Sequence, residues 1–324
     1  MRTDAMNYYR LEKDFTEAGY YETPQHKFLF TELRAAIKKG ELITVSGMIG
    51  SGKTVMLSKL KDTLTKEGKT VVSRSLMIEK HKVQLQTLIS AIFYDLHHNI
   101  EKVFIPTQGE RRERVLKDLI RQERKPVVLF IDDAHDLPMQ TLKGLKRLIE
   151  VVNDSSTALS VIIAGHPKLK NDLARANMEE IGFRTSVFSI DDAIDSRREY
   201  IEWLLMQCAA EGVEPQQILE QDAIDVLAEK LITPLQIDRH LKKALEAGHN
   251  ADEKPVSASM VSSILSGSLQ DLEAKITRLG YDHKSLASLL RAPSGEVKQF
   301  MQGQLDSART REFHQQLLVV GLQV

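Results

Sequence analysis

The sequence has little of what would indicate a secreted, zinc-bound or membrane-inserted protein. Its 324 residues include one cysteine, Cys208, which excludes a disulfide framework and any zinc site built from cysteines. No apolar run approaches the roughly 20 residues that a bilayer-spanning helix needs. The N-terminal segment, MRTDAMNYYRLEKDF, is charged and lacks the apolar core of a signal peptide. We therefore expect a cytoplasmic protein with no membrane association.

Aromatic residues and excess charge are also scarce. Phe, Trp and Tyr make up 6% of the chain, hydrophobic residues make up 42%, and the formal net charge is -1. A chain this close to neutral is not a polycation, so any contact with nucleic acid must come from a local basic patch. Length and composition are those of an ordinary globular protein with two or three folding units.

What the sequence does contain is a phosphate-binding loop between a strand pattern and a helix pattern. The β-branched run ELITVS leads into GMIGSGKT, residues 47–54. Its glycines let backbone amides curl around a β-phosphate, and the following helix adds its dipole; a chance glycine-rich turn is the alternative. Lys53 would contact the β- and γ-phosphates of ATP, and the Thr54 hydroxyl would ligate Mg²⁺. The residues predicted to bind the nucleotide are Gly47, Met48, Ile49, Gly50, Ser51, Gly52, Lys53, Thr54 and Val55.

A second half of an ATP site lies at the end of another apolar run. Residues 126–133 read PVVLFIDD, the pattern of a buried parallel strand that ends in two carboxylates. We expect Asp132 to hold Mg²⁺, directly or through water, at the carboxyl edge of the sheet. Asp133 would orient or deprotonate the attacking water, with a helix-capping role as the alternative. Because many ATPases have the longer Glu there, slow hydrolysis is expected.

Strand and helix patterns alternate up to residue 190, and helix patterns alone follow. The strand patterns cover residues 41–47, 69–77, 126–133, 158–165 and 186–190. This alternation predicts an α/β fold with a parallel sheet flanked by helices. The predicted domains are an N-terminal extension (1–24), an α/β nucleotide-binding core (25–190), a small helical lid (191–248), a linker (249–259) and a C-terminal all-helical module (260–324).

Over residues 20–248, the order of these parts resembles the AAA+ superfamily of P-loop ATPases. Residues 164–169, AGHPKL, stand where those proteins carry the sensor 1 residue. The segment resembles in particular the transposition-regulator group of TniB, TnsC, MuB and IstB, related to the ExeA-type ATPases, in which Gln often replaces His166. The resemblance implies that His166 donates a hydrogen bond toward the γ-phosphate or the attacking water. A plain turn histidine is the alternative.

The resemblance also concerns arginines that follow this segment. Residues 179–188, EEIGFRTSVF, are similar to the box before the last core strand, which implies that Arg184 reaches a neighbouring subunit's ATP as an arginine finger. Arg175 is the reserve candidate, and an ordinary surface arginine is the alternative. Residues 233–241, TPLQIDRHL, are similar to the lid helix that carries sensor 2. Leu235 and Gln236 stand where that pattern has arginines, and only Arg239 is retained.

Basic residues gather in two stretches of the predicted core. One follows the second strand pattern and contains Lys80 and Lys82, and the other is the helix pattern 110–125, which contains Arg111 and Arg112. In AAA+ ATPases that form rings or helices on DNA, such loops line the channel, and the resemblance implies phosphate contacts there. These contacts would be independent of base sequence and sensitive to salt. For 110–125, a solvated face with opposite-charge pairs is the alternative.

The tail over residues 279–305 resembles a helix-turn-helix. Its first helix pattern carries Leu286 and Leu289, AlaProSerGly follows as a turn, and the second pattern carries Val297 and Phe300. Charges are nearly balanced from residue 268 to 324, so binding to DNA and docking on a protein partner both stay open.

Together, these resemblances imply an ATP-dependent, DNA-binding AAA+ ATPase. It would oligomerise as a ring or filament on duplex DNA and recruit or regulate a transposase. Assembly would depend on ATP because each site takes a residue from a neighbouring subunit. Two other functions stay open, an ExeA-like ATPase of secretion or envelope assembly and a DnaC-like helicase loader.

Overall fold

The computed structural model describes residues 1–74, 83–97, 104–153, 158–174, 178, 182, 185–191, 193–266, 272–302 and 304–322. The chain divides into two compact units. One, called the sheet unit below, consists of residues 26–47 and 53–190. The other, called the helical unit, consists of residues 1–25, 48–52 and 191–324.

The sheet unit is built around parallel strands. They are β1 (Leu42–Ser46), β2 (Val71–Arg74), β3 (Val127–Ile131), β4 (Leu159–Gly165) and β5 (Thr185–Ser189). Their spatial order is β2-β3-β4-β1-β5, and every pairing is parallel. All residues of β1, β3 and β4 are buried, which explains why these strands read as nearly continuous apolar runs. The predicted α/β fold with a parallel sheet is confirmed.

The strand order positions three loops together. β4 lies between β1 and β3, with Ser46 of β1 opposite Gly165 of β4. Because parallel strands end at the same edge of a sheet, the segments that follow them leave at that edge. Those segments begin at Gly47, Asp132 and His166, so the sheet topology gathers the residues predicted for phosphate, metal and sensor roles.

The helices of the sheet unit bury their apolar faces in one cluster with the strands. Leu88 and Ile92 of one helix and Leu145 of another join Leu129 and Val161 of the sheet there. The helices are Pro24–Lys39, Lys53–Glu67, Leu85–Leu96, Gly109–Glu123, Met139–Val152 and Pro167–Leu173.

Among its described residues after position 191, the helical unit contains helices and loops and no strand, as predicted. Its N-terminal part contributes to the core, since Tyr9 and Phe15 share one apolar cluster with Leu204 and Leu241. The helices are Thr3–Tyr9, Arg197–Cys208, Gln221–Lys230, Pro234–Asn250, Ala258–Ser266, Leu272–Arg278, His283–Leu290, Ser294–Met301 and Ser307–Val319. In the described part of the chain, no helix combines the length and the hydropathy that crossing a membrane requires.

The segment predicted to be a linker, 249–259, is packed into this unit. Val256 is fully buried. Its N–H donates to the carbonyl of Ile218 at 3.0 Å, and its carbonyl accepts from the Glu220 N–H at 3.0 Å. The polar, proline-containing composition indicates a turn, but it does not reveal that one apolar residue pairs with a distant segment. The domain boundary itself stays a prediction.

The C-terminal helices form a separate apolar cluster. Leu286, Val297, Phe300 and Phe313 are buried in it. The helix His283–Leu290 ends at a left-handed Arg291, with φ of 49°, and the next helix begins at Ser294. The two helices predicted on either side of the AlaProSerGly turn are therefore present.

Candidate nucleotide-binding site

The phosphate loop has the strand–loop–helix setting that its chemistry needs. β1 ends at Ser46, the loop follows, and a helix begins at Lys53. Gly50 has φ of 84° and Gly52 has φ of 91°. Glycine adopts this left-handed region without the steric penalty that a Cβ brings, so both glycines serve the tight winding of the loop.

Lys53 lies folded back over the loop. Its side chain is 7% exposed, and its Nζ donates to the carbonyl of Gly47 at 2.6 Å. Ser51 Oγ is also buried and has no hydrogen-bond partner among the described residues. A phosphate oxygen fits as the missing acceptor of the Ser51 hydroxyl, and the charge of Lys53 suits the same anion.

The remaining residues predicted to bind the nucleotide have defined places. The N–H of Met48 donates to Asp191 Oδ1 at 2.6 Å. The N–H of Ser51 donates to the carbonyl of Met48 at 3.2 Å, closing a turn. Val55 lies in the first turn of the helix, with its side chain 55% exposed. Its predicted contribution is therefore that of a backbone amide at a helix N-terminus.

Thr54 and Asp132 meet, as a magnesium site requires. The Thr54 hydroxyl donates to Asp132 Oδ2 at 2.8 Å, although 78 residues separate them in the chain. A hydroxyl and a carboxylate are hard oxygen ligands of the kind that Mg²⁺ prefers alongside phosphate oxygens and water. The donor set fits the predicted ion, and these two residues would hold it.

Asp133 has an unusual backbone conformation. Its φ of 49° and ψ of 41° lie in the left-handed region, and it precedes a short helical turn, Ala134–Asp136. Its side chain makes no capping hydrogen bond to that turn, so the capping alternative does not describe it. Asp is among the few non-glycine residues that tolerate this conformation. A role in activating water stays a prediction.

His166 is brought against a second histidine that was not predicted. It follows β4 directly and precedes the helix Pro167–Leu173. Its ring lies 3.8 Å from the ring of His135, centroid to centroid. His135 follows β3, so the adjacency of β3 and β4 juxtaposes the two rings at the site's edge of the sheet. Its position three residues after Asp132 is the one signal that could have identified it.

Two contacts within the helical unit fix the outer turn of the phosphate loop. The N–H of Ile49 donates to the carbonyl of Arg278 at 3.0 Å, and the N–H of Leu235 donates to the carbonyl of Gly50 at 3.2 Å. The side chain of Met48 packs against the C-terminal apolar cluster. The loop is thus held by the helices Pro234–Asn250 and Leu272–Arg278. The sequence pattern did not indicate these contacts.

Gln236 has a structural role that explains one departure from the AAA+ pattern. Its side-chain oxygen accepts from the N–H of Thr233 at 3.1 Å, and the Thr233 hydroxyl accepts from the N–H of Gln236. This capping box starts the helix Pro234–Asn250. Arg239 is exposed on the same helix. The position where the pattern has an arginine is therefore used for capping.

Several predicted site residues lie outside the described residues. These are Arg184 and its reserve Arg175, and Lys80 and Lys82 of the first basic stretch. Their roles stay predictions.

The second basic stretch forms the helix Gly109–Glu123. Arg111 is exposed, with its guanidinium 5.9 Å from the centre of the Phe104 ring, whereas Arg112 is 8% exposed. Arg114 pairs with Glu110 at 2.5 Å, one turn away, as the solvated-face alternative expects. Of the two arginines predicted to contact DNA, only Arg111 presents its side chain to solvent, and both roles stay predictions.

Residues 36–173 match the family model described as an AAA domain. A curated relative is the signal recognition particle 54 kDa protein of Pyrobaculum islandicum, which is 30% identical over 166 residues. That match covers 48% of this chain and 35% of the relative, so the chain spans about a third of the relative's length. This region of the chain is therefore similar to an AAA domain. The finer assignment to transposition regulators stays a prediction.

Three solved structures have a similar fold. Drosophila ORC bound to DNA has a TM-score of 0.54 and 14% identity, covering 100% of this chain and 80% of that chain. The RuvB Holliday junction branch migration motor of Thermotoga maritima has a TM-score of 0.51 and 15% identity. The match covers 97% of this chain and 92% of that chain. Cdc6p of Pyrobaculum aerophilum has a TM-score of 0.50 and 17% identity, and the match covers 96% of this chain and 91% of that chain. At these identities the likeness shows the fold alone, an α/β core with a parallel sheet followed by an all-helical region.

Proposed function

We propose that this chain is an ATPase whose nucleotide site lies in the region similar to an AAA domain. When ATP is bound, it would assemble on duplex DNA and recruit a transposase there. The observation that carries the proposal is the pairing of Thr54 with Asp132 at 2.8 Å, next in sequence to the buried Lys53 of the phosphate loop. This arrangement supports binding of a nucleoside triphosphate with Mg²⁺.

Bound ATP with Mg²⁺ would supply the phosphoanhydride bond and the γ-phosphate charge. Lys53 would neutralise phosphate charge from its buried position, and Thr54 and Asp132 would hold the ion. Asp133 would orient the attacking water, and His166 would donate a hydrogen bond at the same edge of the sheet. An Asp at position 133 favours slow hydrolysis, which suits a switch for assembly more than a motor.

The proposed assembly on DNA depends on two further groups of residues. Arg184 would reach the ATP of a neighbouring subunit, so that the γ-phosphate bridges two copies of the chain. Lys80, Lys82 and Arg111 would meet DNA phosphates without reading base sequence. The fold is compatible with this role, because the Drosophila ORC structure of similar fold is described as bound to DNA.

Electron microscopy with a non-hydrolysable ATP analogue, with and without duplex DNA, tests the proposal. The wild-type chain should form rings or filaments with both ligands, and Lys53→Ala should abolish them. Lys66→Ala is the matched control, since Lys66 is exposed in the last turn of the same helix, and it should assemble like the wild type. Wild-type chains that stay monomeric with both ligands would refute the proposal.

The partner is tested by capture with the assembled chain. A transposase should bind to the wild-type chain when the ATP analogue and DNA are present. It should not bind to the Lys53→Ala chain under the same conditions. Capture of a replicative helicase instead would support the helicase-loader alternative. Capture of an envelope protein would support the ExeA-like alternative.

A further inference from the structure

Arg278 lies directly against the phosphate loop, although it belongs to the C-terminal helices. It is the last residue of the helix Leu272–Arg278, and its carbonyl accepts the N–H of Ile49 at 3.0 Å. This backbone bond fixes the Cα of Arg278 beside the outer turn of the loop. Its side chain therefore begins next to the loop and stays there as long as the bond is intact.

The surroundings of Arg278 are positively charged. His240 is buried and interacts electrostatically with Lys243, Arg239 and Arg278. Burial lowers the pKa of His240, and the three cations lower it further, although the hydrogen bond with the Gln236 carbonyl opposes them. Burial also lowers the pKa of Arg278. An anion bound among these cations would be attracted to all of them.

None of these three cations forms an ion pair within the described part of the chain. No ion pair joins Arg239, Lys243 or Arg278 to a described carboxylate, whereas Arg309 and Arg198 elsewhere in the same unit each pair with two. Leu235 and Gln236, one helical turn before this group, supply no charge. The loop that lies beside Arg278 contains Ser51, whose buried hydroxyl has no hydrogen-bond partner among the described residues.

We propose that Arg278 is a nucleotide-binding residue, whose guanidinium contacts a phosphate of the nucleotide held by the loop. A guanidinium suits this role because it stays charged when partly buried and can donate two parallel hydrogen bonds to phosphate oxygens. The proposal rests on the ATP binding proposed above. It assigns to a C-terminal helix the cation that the lid helix lacks at positions 235 and 236.

A consequence is that nucleotide binding and docking of the C-terminal helices are coupled. If Arg278 contributes to nucleotide affinity only when its helix is docked on Ile49, the nucleotide must in turn stabilise that docking by the same factor. Occupancy of the loop would then be communicated directly to the helices that are candidates for engaging a partner.

Titration of the full chain with a fluorescent ATP analogue tests the assignment. Arg278→Ala should raise the dissociation constant about 10-fold or more, the usual effect of losing a hydrogen bond to a charged group. Lys275→Ala, an exposed change one turn earlier on the same helix, should stay within about two-fold, since it removes no such bond. An Arg278→Ala chain that binds like the wild type, while Lys53→Ala does not bind, overturns this inference and leaves the proposed ATP binding intact.

Two further measurements keep the test decisive if Arg278→Ala does not fold. Arg278→Lys keeps the charge and Arg278→Gln does not, so Lys should retain more affinity than Gln; equal affinities overturn the assignment. Hydrogen exchange of residues 283–301 should slow when nucleotide binds to the wild type and to Lys275→Ala, and should not slow in Arg278→Gln. A wild-type chain that binds no nucleotide overturns both this inference and the function on which it rests.

Discussion

Replacing Gly50 by alanine should weaken the helical unit more than the same change at Gly52. Both glycines have positive φ, so both substitutions bring backbone strain. An added Cβ at Gly50 would lie 2.6 Å from Leu235 Cβ and 3.1 Å from Thr233 Oγ1, whereas at Gly52 nothing lies within 4 Å. The two variants therefore share the strain and differ in the steric contact.

The expected losses follow from these two contributions. Left-handed backbone costs an alanine roughly 1–2 kcal/mol, and forcing atoms into a filled space costs roughly 1–3 kcal/mol. Gly50→Ala should therefore lower the free energy of unfolding by about 2–5 kcal/mol, and Gly52→Ala by about 1–2 kcal/mol. Leu235→Ala keeps the obstructing Cβ, and Leu235→Gly removes it. In the Gly50→Ala background, only Leu235→Gly should recover part of the loss.

Trp203 provides the assay for this prediction. It is the one tryptophan of the chain and lies in the helix Arg197–Cys208 of the helical unit, 5.0 Å from Tyr21 between ring centroids. Its fluorescence during urea unfolding reports on that unit, and the midpoint and slope are compared for each variant. Equal losses at Gly50 and Gly52, or equal recovery by alanine and glycine at Leu235, would refute the reasoning.

Three other predictions concern single side chains. Asp133→Asn keeps a residue that tolerates left-handed backbone, so nucleotide binding should persist while ATP turnover falls at least ~100-fold in a phosphate-release assay. Burial raises the pKa of the Cys208 thiol to about 11, so iodoacetamide should label it at neutral pH only after denaturant is added, as mass spectrometry would show. Burial raises the pKa of Asp14, but hydrogen bonds from Lys242 and other donors outweigh it and hold the pKa well below its usual range. Because that stabilisation is complete above about pH 4 and is lost as pH falls, Asp14→Asn should be destabilising in urea at neutral pH and progressively less so in acid.

The sheet could be predicted from the sequence because its central strands are buried on both faces. Because every residue of β1, β3 and β4 is buried, these strands appear in the sequence as nearly continuous apolar runs, whereas a helix with one buried face does not. Each run ends at or just before a glycine or a carboxylate. The packed state of residues 249–259 could not be predicted in this way. Only one residue there, Val256, is buried, and its hydrogen bonds go to Ile218 and Glu220, more than 30 residues earlier.

The candidate site was predicted where a motif carries its own spacing. The proximity of Thr54 and Asp132 follows from two local patterns and the rule that parallel strands end together. His135, Arg278 and the contact of Leu235 with Gly50 were missed for a common reason. Each depends on tertiary contacts between segments that are distant in sequence. A contact through a backbone carbonyl, such as that of Arg278, cannot be predicted from residue type because every residue has one.

The left-handed backbone at Asp133 restricts how this site can change over evolutionary time. A glutamate there would lengthen the reach toward water, but it would enter a conformation that favours glycine and short polar side chains. A lineage selected for faster turnover would have to reshape the turn at Ala134–Asp136 together with the side chain. The proposed slow hydrolysis thus depends on the backbone conformation at Asp133 as well as on its side chain. A single substitution there would not readily accelerate it.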